Sequence, residues 1–137
     1  MGSEQSSRFI AIVDDDSSVQ TALQDLIESE GLFPLCFGSA EQFLDSGAQR
    51  KAACLIADIR MPGMSGLDLQ AKLKADRCRI PIIFITAHGD AKMRIQAMRD
   101  GAVEFLTKPF DNAVLVETVH AAVEAHAKAL ELRDSNR

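Results

Sequence analysis

Short apolar runs alternate with helical patterns five times along this chain. The runs occupy residues 9–13, 32–37, 54–57, 80–85 and 103–106. They are apolar almost throughout instead of alternating with polar residues, which is typical of strands that are covered on both faces of a sheet. The pattern therefore predicts five buried β-strands.

Amphipathic helices are predicted in the intervals between these runs. Apolar residues recur at helical spacing at Val19, Ala22, Leu23, Leu26 and Ile27. Gly31 is a natural stop for that helix, and Ser39 with Gln42 three residues later is the pattern of a capping box that opens a second helix. Further helices are predicted over residues 67–76, 90–100 and 111–125.

Helices of about ten residues between buried strands favour right-handed βαβ units in one parallel sheet. The sequence thus predicts a doubly wound α/β fold without an internal domain boundary. Residues 1–7 are expected to form an N-terminal tail. Residues 126–137, which are rich in alanine, leucine and charged residues, are expected to form a helical extension or a linker.

Length and composition indicate a single folded domain. A length of 137 residues is about one domain, and 47% hydrophobic with 26% charged residues argues against a disordered chain. No apolar run approaches the roughly 18 residues of a membrane span, and the N-terminus carries no secretion signal, so we expect a cytoplasmic protein.

Cys36, Cys54 and Cys78 form no metal or redox motif and are expected to be reduced thiols. The net charge of −5, without a basic stripe, argues against direct binding of nucleic acid or membrane.

Polar side chains stand where the predicted strands end, and ligands of such folds bind at the carboxyl ends of the strands. They are Asp14, Asp15 and Asp16 after the first strand, Asp58 after the third, Thr86 at the end of the fourth and Lys108 just past the fifth. Carboxylates this close repel one another unless a cation offsets them or one is protonated. An oxygen-only ligand set suits Mg²⁺, and an ammonium with a hydroxyl adds contacts for a phosphoryl group. The pattern indicates phosphoryl transfer with a carboxylate as the nucleophile; Asp16 itself suits the N-cap of the first helix better than a metal site.

Four motifs in this order resemble the response-regulator receiver domain of two-component signalling. They are VDDD at 13–16, DIRMPGMSG at 58–66, FITAHGD at 84–90 and KPF at 108–110. The resemblance covers about residues 8–125 and is strongest to the FixJ-type subgroup, whose full-length members end in a DNA-binding domain. It implies a flavodoxin-like (βα)5 fold with strand order 2-1-3-4-5.

The resemblance also implies a role for each site residue. Asp58 is expected to be the phosphoacceptor, which takes a phosphoryl group from a phosphohistidine of a sensor histidine kinase. Asp15 is expected to bind Mg²⁺ directly, Asp14 through water, and the backbone carbonyl of Arg60 is expected to add a ligand. Lys108 is expected to pair with Asp58 and then with a phosphoryl oxygen, and its bond to the following proline is expected to be cis.

A switch is implied by two further positions. Thr86 is expected to hydrogen-bond the phosphoryl group, and Phe105 matches the aromatic switch position of the family. Since Phe105 lacks a hydroxyl, its ring is expected to act by packing, turning inward into space that Thr86 vacates. The output is then a conformational change of the face formed by the fourth helix, fifth strand and fifth helix, not an enzymatic turnover. A phosphorylation-dependent homodimer and control of a transcriptional output domain are expected.

Two alternatives remain open from the residues. Asp14-x-Asp16-x-Ser18 resembles the first motif of haloacid dehalogenase-type phosphatases, although that interpretation gives Asp58 no role and lacks a paired acidic motif after Lys108. The other alternative is a receiver-like interaction module that is never phosphorylated. It predicts that the chain does not bind Mg²⁺.

Overall fold

Strands and helices alternate regularly in a computed structural model of the protein, which describes residues 9–87 and 89–135. The elements are β1 (Phe9–Val13), α1 (Ser17–Ser29), β2 (Phe33–Phe37), α2 (Ala40–Ser46), β3 (Cys54–Asp58), α3 (Gly66–Ala75), β4 (Ile82–Thr86), α4 (Ala91–Arg99), β5 (Glu104–Thr107) and α5 (Asn112–Ser135). A short 3₁₀ turn, Ala48–Arg50, follows α2. All five predicted strands and the helices between them are present. The prediction that every strand is buried is wrong for β2, which lies at an edge of the sheet and leaves Phe33 and Leu35 about half exposed.

The five strands form one parallel sheet in the order β2-β1-β3-β4-β5, which confirms the predicted fold. Successive residues of β1 enter different cores. Ala11 and Val13 pack beneath α2, α3 and α4, whereas Ile10 and Ile12 pack beneath α1 and α5. Because each strand contributes to both cores, its sequence is apolar without alternation.

Side-chain caps define where the helices begin. Asp16 is the N-cap of α1 and accepts from the backbone N–H groups of Ser18 and Val19, as predicted. The Ser39 side chain accepts from the N–H of Gln42. The Gln42 side chain accepts from Gly38 instead of Ser39, so the predicted capping box is only half formed. A complete capping box, which was not predicted, joins Ser65 and Asp68 at the start of α3.

Element boundaries differ from the predictions by one or two residues. β4 begins at Ile82 because Pro81 has no N–H to donate to a ladder. Helix α5 continues without a break from Asn112 to Ser135, so the helical interpretation of residues 126–135 agrees with the structure. Residues 1–7, predicted as a tail, lie outside the described residues. None of the described helices is long and apolar enough to span a membrane.

The described cysteines are free thiols, as expected from their spacing. Cys54 lies in the core, and its burial raises the pKa of its thiol to about 12. A thiol of this kind stays protonated at neutral pH and is therefore a poor nucleophile. The thiol of Cys54 serves packing instead of chemistry.

Candidate functional site

The predicted site residues meet at the carboxyl edge of the sheet. Asp14 follows β1, Asp58 ends β3, Thr86 ends β4 and Lys108 follows β5. Asp14, Asp58 and Thr86 are buried, although all are polar. Four separate strands thus bring two carboxylates, a hydroxyl and an ammonium together, because neighbouring parallel strands end at the same edge.

Lys108 connects the two buried carboxylates. Its Nζ lies 3.1 Å from Asp14 Oδ2 and 3.1 Å from Asp58 Oδ2. The peptide bond from Lys108 to Pro109 is cis, as the resemblance implied. The ammonium therefore bridges the carboxylates that were predicted to hold the metal and the phosphoryl group.

Burial and neighbouring charges both shift the pKa values of Asp14 and Lys108. Burial raises the pKa of Asp14, although the N–H of Asp16 and the ammonium of Lys108 act in the opposite direction. Burial also opposes the charge of Lys108, but hydrogen bonds to Asp14 and Asp58 and the negative charge of both carboxylates raise the pKa of Lys108 overall. Lys108 is thus held in its cationic form, whereas Asp14 is an anion whose charge is only partly compensated.

Residues suited to Mg²⁺ are present. One carboxylate oxygen from each of Asp14, Asp15 and Asp58 lies within 4.8 Å of the others. Asp15 is exposed, whereas Asp14 and Asp58 are buried, so the cluster is open to solvent on one side only. The backbone N–H of Arg60 donates to Asp58 Oδ1 at 3.2 Å, so Arg60 lies beside the cluster. An oxygen-only set with an open side and an incompletely compensated anion fits a hard divalent cation.

Asp16 does not belong to this cluster. Its side chain is exposed and is engaged by the hydroxyl and the N–H of Ser18, and these hydrogen bonds lower its pKa. The phosphatase alternative assigns Asp16 a role beside Asp14. In the structure Asp16 caps a helix, and the carboxylates of Asp15 and Asp58 form the acidic cluster with Asp14.

A glycine packs against the backbone of Asp58. The N–H of Gly66 donates to the carbonyl oxygen of Ile59 at 2.8 Å. A Cβ at Gly66 would collide with the carbonyl oxygen of Asp58 and lie 2.9 Å from the Cα of Ile59. The start of α3 therefore packs directly on the backbone of Asp58, at a distance that only glycine permits.

Thr86 and Phe105, the two expected switch positions, both lie against Gly89. A Cβ at Gly89 would lie 2.6 Å from Cε1 of Phe105 and 2.8 Å from Cγ2 of Thr86. The ring of Phe105 is only 4% exposed. The ring already lies inside in this structure, where Gly89 leaves room for it, and its expected response to phosphorylation stays a prediction.

Three further polar contacts between side chains and the backbone were not predicted. Gln20 Nε2 donates to the carbonyl of Asp14 at 2.6 Å. Gln70, which is buried, donates to the carbonyl of Ala97 in α4 at 3.0 Å. Glu41 accepts from a backbone N–H in the loop after Asp58. Glutamine and glutamate side chains at helical positions normally point to solvent, so the sequence offered no signal for these contacts.

The face of α4, β5 and α5 retains exposed apolar side chains. Ile95, Met98, Val103 and Val114 are each more than a third exposed. Leu115 and Val119 are buried against the sheet. Apolar surface is therefore left over on this face after the core has been filled.

Comparisons with known proteins agree with this geometry. The family model of the response regulator receiver domain matches residues 10–120. Nodulation protein W of Bradyrhizobium diazoefficiens is 45% identical over 123 residues, which are 90% of this chain and 54% of that protein. The chain thus spans about half the length of the curated relatives it matches.

Solved structures show the same fold. The response regulator StyR has a TM-score of 0.87 and 40% identity, over 93% of this chain and 65% of that one. The structure of FixJ-N has a TM-score of 0.76 and 38% identity, over 85% of this chain and 93% of that one. Similarity to the FixJ-type subgroup, inferred from the motifs, is confirmed.

Proposed function

This chain belongs to the response-regulator receiver-domain family, and from that membership we propose that Asp58 accepts a phosphoryl group from a phosphohistidine of a sensor histidine kinase. The observation that carries the proposal is the ammonium of Lys108, 3.1 Å from both Asp58 and the buried Asp14. Both carboxylates belong to the acidic cluster with Asp15, and we assign phosphoryl acceptance to Asp58 because it begins the DIRMPGMSG motif of the family. A phosphoryl group at Asp58 would meet a cation on either side.

The transfer is a substitution at phosphorus. An Asp58 carboxylate oxygen attacks, a P–O bond forms, and the P–N bond to the kinase imidazole breaks. The leaving imidazole keeps the bonding electron pair and takes up a proton from solvent. Lys108 then pairs with a phosphoryl oxygen, and the Thr86 hydroxyl donates to another.

Asp14, Asp15, Asp58 and the Arg60 carbonyl would hold Mg²⁺. When bound, Mg²⁺ supplies positive charge that offsets the carboxylates and the phosphoryl oxygens. Asp14 contributes a buried anion whose charge Lys108 compensates only in part. This chain's residues thus provide the anionic side of the site, and Lys108 provides its fixed cation.

Phosphorylation is proposed to act on Thr86 and Phe105. A phosphoryl group adds about two negative charges at Asp58, which draws the Thr86 hydroxyl towards it. Gly89 lies against both Thr86 and the Phe105 ring, so movement of Thr86 changes the packing around Phe105 and the neighbouring helix α4. Two arrangements of one face then exchange in a two-state equilibrium.

The output is proposed to be a homodimer formed by the face of α4, β5 and α5. Exposed apolar side chains such as Ile95 and Val103 would form its centre, and Lys92 and Arg94 would face acidic residues of the second copy. Like the transcriptional regulatory relatives that it resembles, the full-length protein would act on transcription in the cytoplasm. Sedimentation with and without beryllofluoride tests the dimer, and an unchanged monomer would contradict it.

Labelling with acetyl phosphate and Mg²⁺ tests the phosphoacceptor. The wild-type chain is expected to gain the mass of one phosphoryl group and then to stop. Asp58→Asn should abolish the gain, whereas Asp45→Asn, which changes an exposed carboxylate on α2, should leave it intact. Undiminished labelling of Asp58→Asn would overturn the assignment, and repeated turnover of p-nitrophenyl phosphate would favour the phosphatase alternative.

A further inference from the structure

The loop after Asp58 makes a contact with a helix that is distant in sequence: a carboxylate of α2 is hydrogen-bonded to its backbone. Glu41, in the first turn of α2, accepts a hydrogen bond at Oε2 from the backbone N–H of Met64 at 3.0 Å. Gly63 lies against the same carboxylate, since a Cβ there would come within 2.7 Å of Glu41 Oε2. The backbone of Gly63 also has a positive φ of 77°. The loop is thus shaped to admit the Glu41 carboxylate.

The inner ends of this loop are attached to the site itself. At its start the N–H of Arg60 donates to Asp58 Oδ1, and at its end the N–H of Gly66 donates to the carbonyl of Ile59. Glu41 holds the outer turn between these two points. The position of the Arg60 carbonyl therefore depends on three attachments, one of which comes from α2.

We propose that Glu41 is a positioning residue for the Mg²⁺ site, because it holds the loop that carries the Arg60 carbonyl. The inference rests on the proposed function, in which that carbonyl is a ligand. A carboxylate in the first turn of a helix is stabilised by the helix dipole, and its hydrogen bond to an N–H is stronger than a neutral one. Partners that orient metal ligands typically change metal affinity by about 10–100-fold when removed. Because Glu41 is exposed, we expect the lower end of that range.

Calorimetric titration of the complete chain with Mg²⁺ at fixed ionic strength tests this role. Glu41→Ala should weaken Mg²⁺ binding by about tenfold. Glu41→Gln keeps an acceptor oxygen and should stay within about twofold of the wild type. Asp45→Ala removes the same charge from the same helix without contacting the loop, and it should bind Mg²⁺ like the wild type.

A variant of Gly63 tests the same contact from the other side. Asparagine tolerates positive φ better than other residues with a side chain, but its Cβ would displace the Glu41 carboxylate. Gly63→Asn should therefore weaken Mg²⁺ binding as Glu41→Ala does. In a Glu41→Ala background it should add little.

Hydrogen exchange of the Met64 amide gives a readout without the metal. Glu41→Ala should speed this exchange, and Glu41→Gln should restore much of the protection. Equal Mg²⁺ affinity of wild type and Glu41→Ala, or an equal loss in Asp45→Ala, would overturn the positioning role alone. Failure of the wild type to bind Mg²⁺ would overturn the metal site of the proposed function, and this inference with it.

Discussion

Asp14 and Lys108 form an ion pair of 3.1 Å in which the carboxylate has no exposed surface. Lys108 therefore pairs with two members of the acidic cluster, Asp14 and Asp58. Lys108→Met should leave Asp14 as a buried charge without its cation. Breaking such a pair costs about 3 kcal/mol of the free energy of unfolding. Urea denaturation at neutral pH without Mg²⁺ measures the loss, and Asp14→Asn in the same chain should recover part of it.

The pair of Lys72 and Asp76 provides the control for this prediction. Both side chains are about half exposed and lie one helical turn apart in α3. Lys72→Met should cost less than about 0.5 kcal/mol, since exposed pairs contribute little. Equal losses of unfolding free energy in Lys72→Met and Lys108→Met would show that the buried ion pair contributes no more to stability than the exposed one.

Asp15→Ala should separate metal binding from stability. Asp15 is the exposed member of a cluster whose carboxylate oxygens lie within 4.8 Å of one another. Removing it relieves like-charge repulsion, so the metal-free variant should melt at a higher temperature than the metal-free wild type. Mg²⁺ should raise the melting temperature of the wild type but not of the variant. Calorimetry that finds wild-type Mg²⁺ affinity in Asp15→Ala would count decisively against the assignment.

Gly89→Ala should disturb the switch positions without touching the charged groups. The new methyl group would overlap the Phe105 ring and the Thr86 methyl group, and overpacking of this kind costs about 1–3 kcal/mol. Thermal unfolding measures the loss, and Phe105→Leu in the same chain should recover part of it. Gly38→Ala is the matched control, because a Cβ there lies 3.5 Å from its nearest neighbour, an ordinary contact. A similar loss in both variants would exclude the proposed crowding at Phe105.

His126 should make stability depend on pH below about 6.5. Burial lowers the pKa of His126 from its usual 6.5. As the pH falls below 6.5, the unfolded chain binds the proton first, so stability decreases until the folded pKa is passed. His126→Gln should flatten this part of the stability profile in urea titrations, and a profile equal to that of the wild type would contradict the role of His126.

Much of the fold followed from local patterns. The strands β1 and β3 and the helix caps at Asp16 and Ser39 depend on residues that are close together in the sequence. Their positions were therefore predicted to within a few residues. The site followed as well, because parallel strands end at one edge. A pattern of residue types is sufficient wherever the physical cause is local or follows from topology.

The contacts that were missed depend on the assembled fold. Glu41 and Met64 are 23 residues apart, and nothing in either segment marks the other as its partner. The packing of Gly89 against the Phe105 ring and Thr86 was likewise not predicted, because a sequence pattern does not encode it. Such contacts depend on tertiary packing, which cannot be deduced from the pattern of residue types along the chain.

Gly66 has a genetic consequence. Every nucleotide change at the first or second position of a glycine codon introduces a side chain or a stop, and at this position any side chain would strike the backbone of Asp58. We therefore expect inherited variation to be removed at Gly66 as efficiently as at Asp58, the proposed phosphoacceptor, although Gly66 has no side chain that could take part in the chemistry. A residue without a side chain can thus be as irreplaceable in a population as a nucleophile.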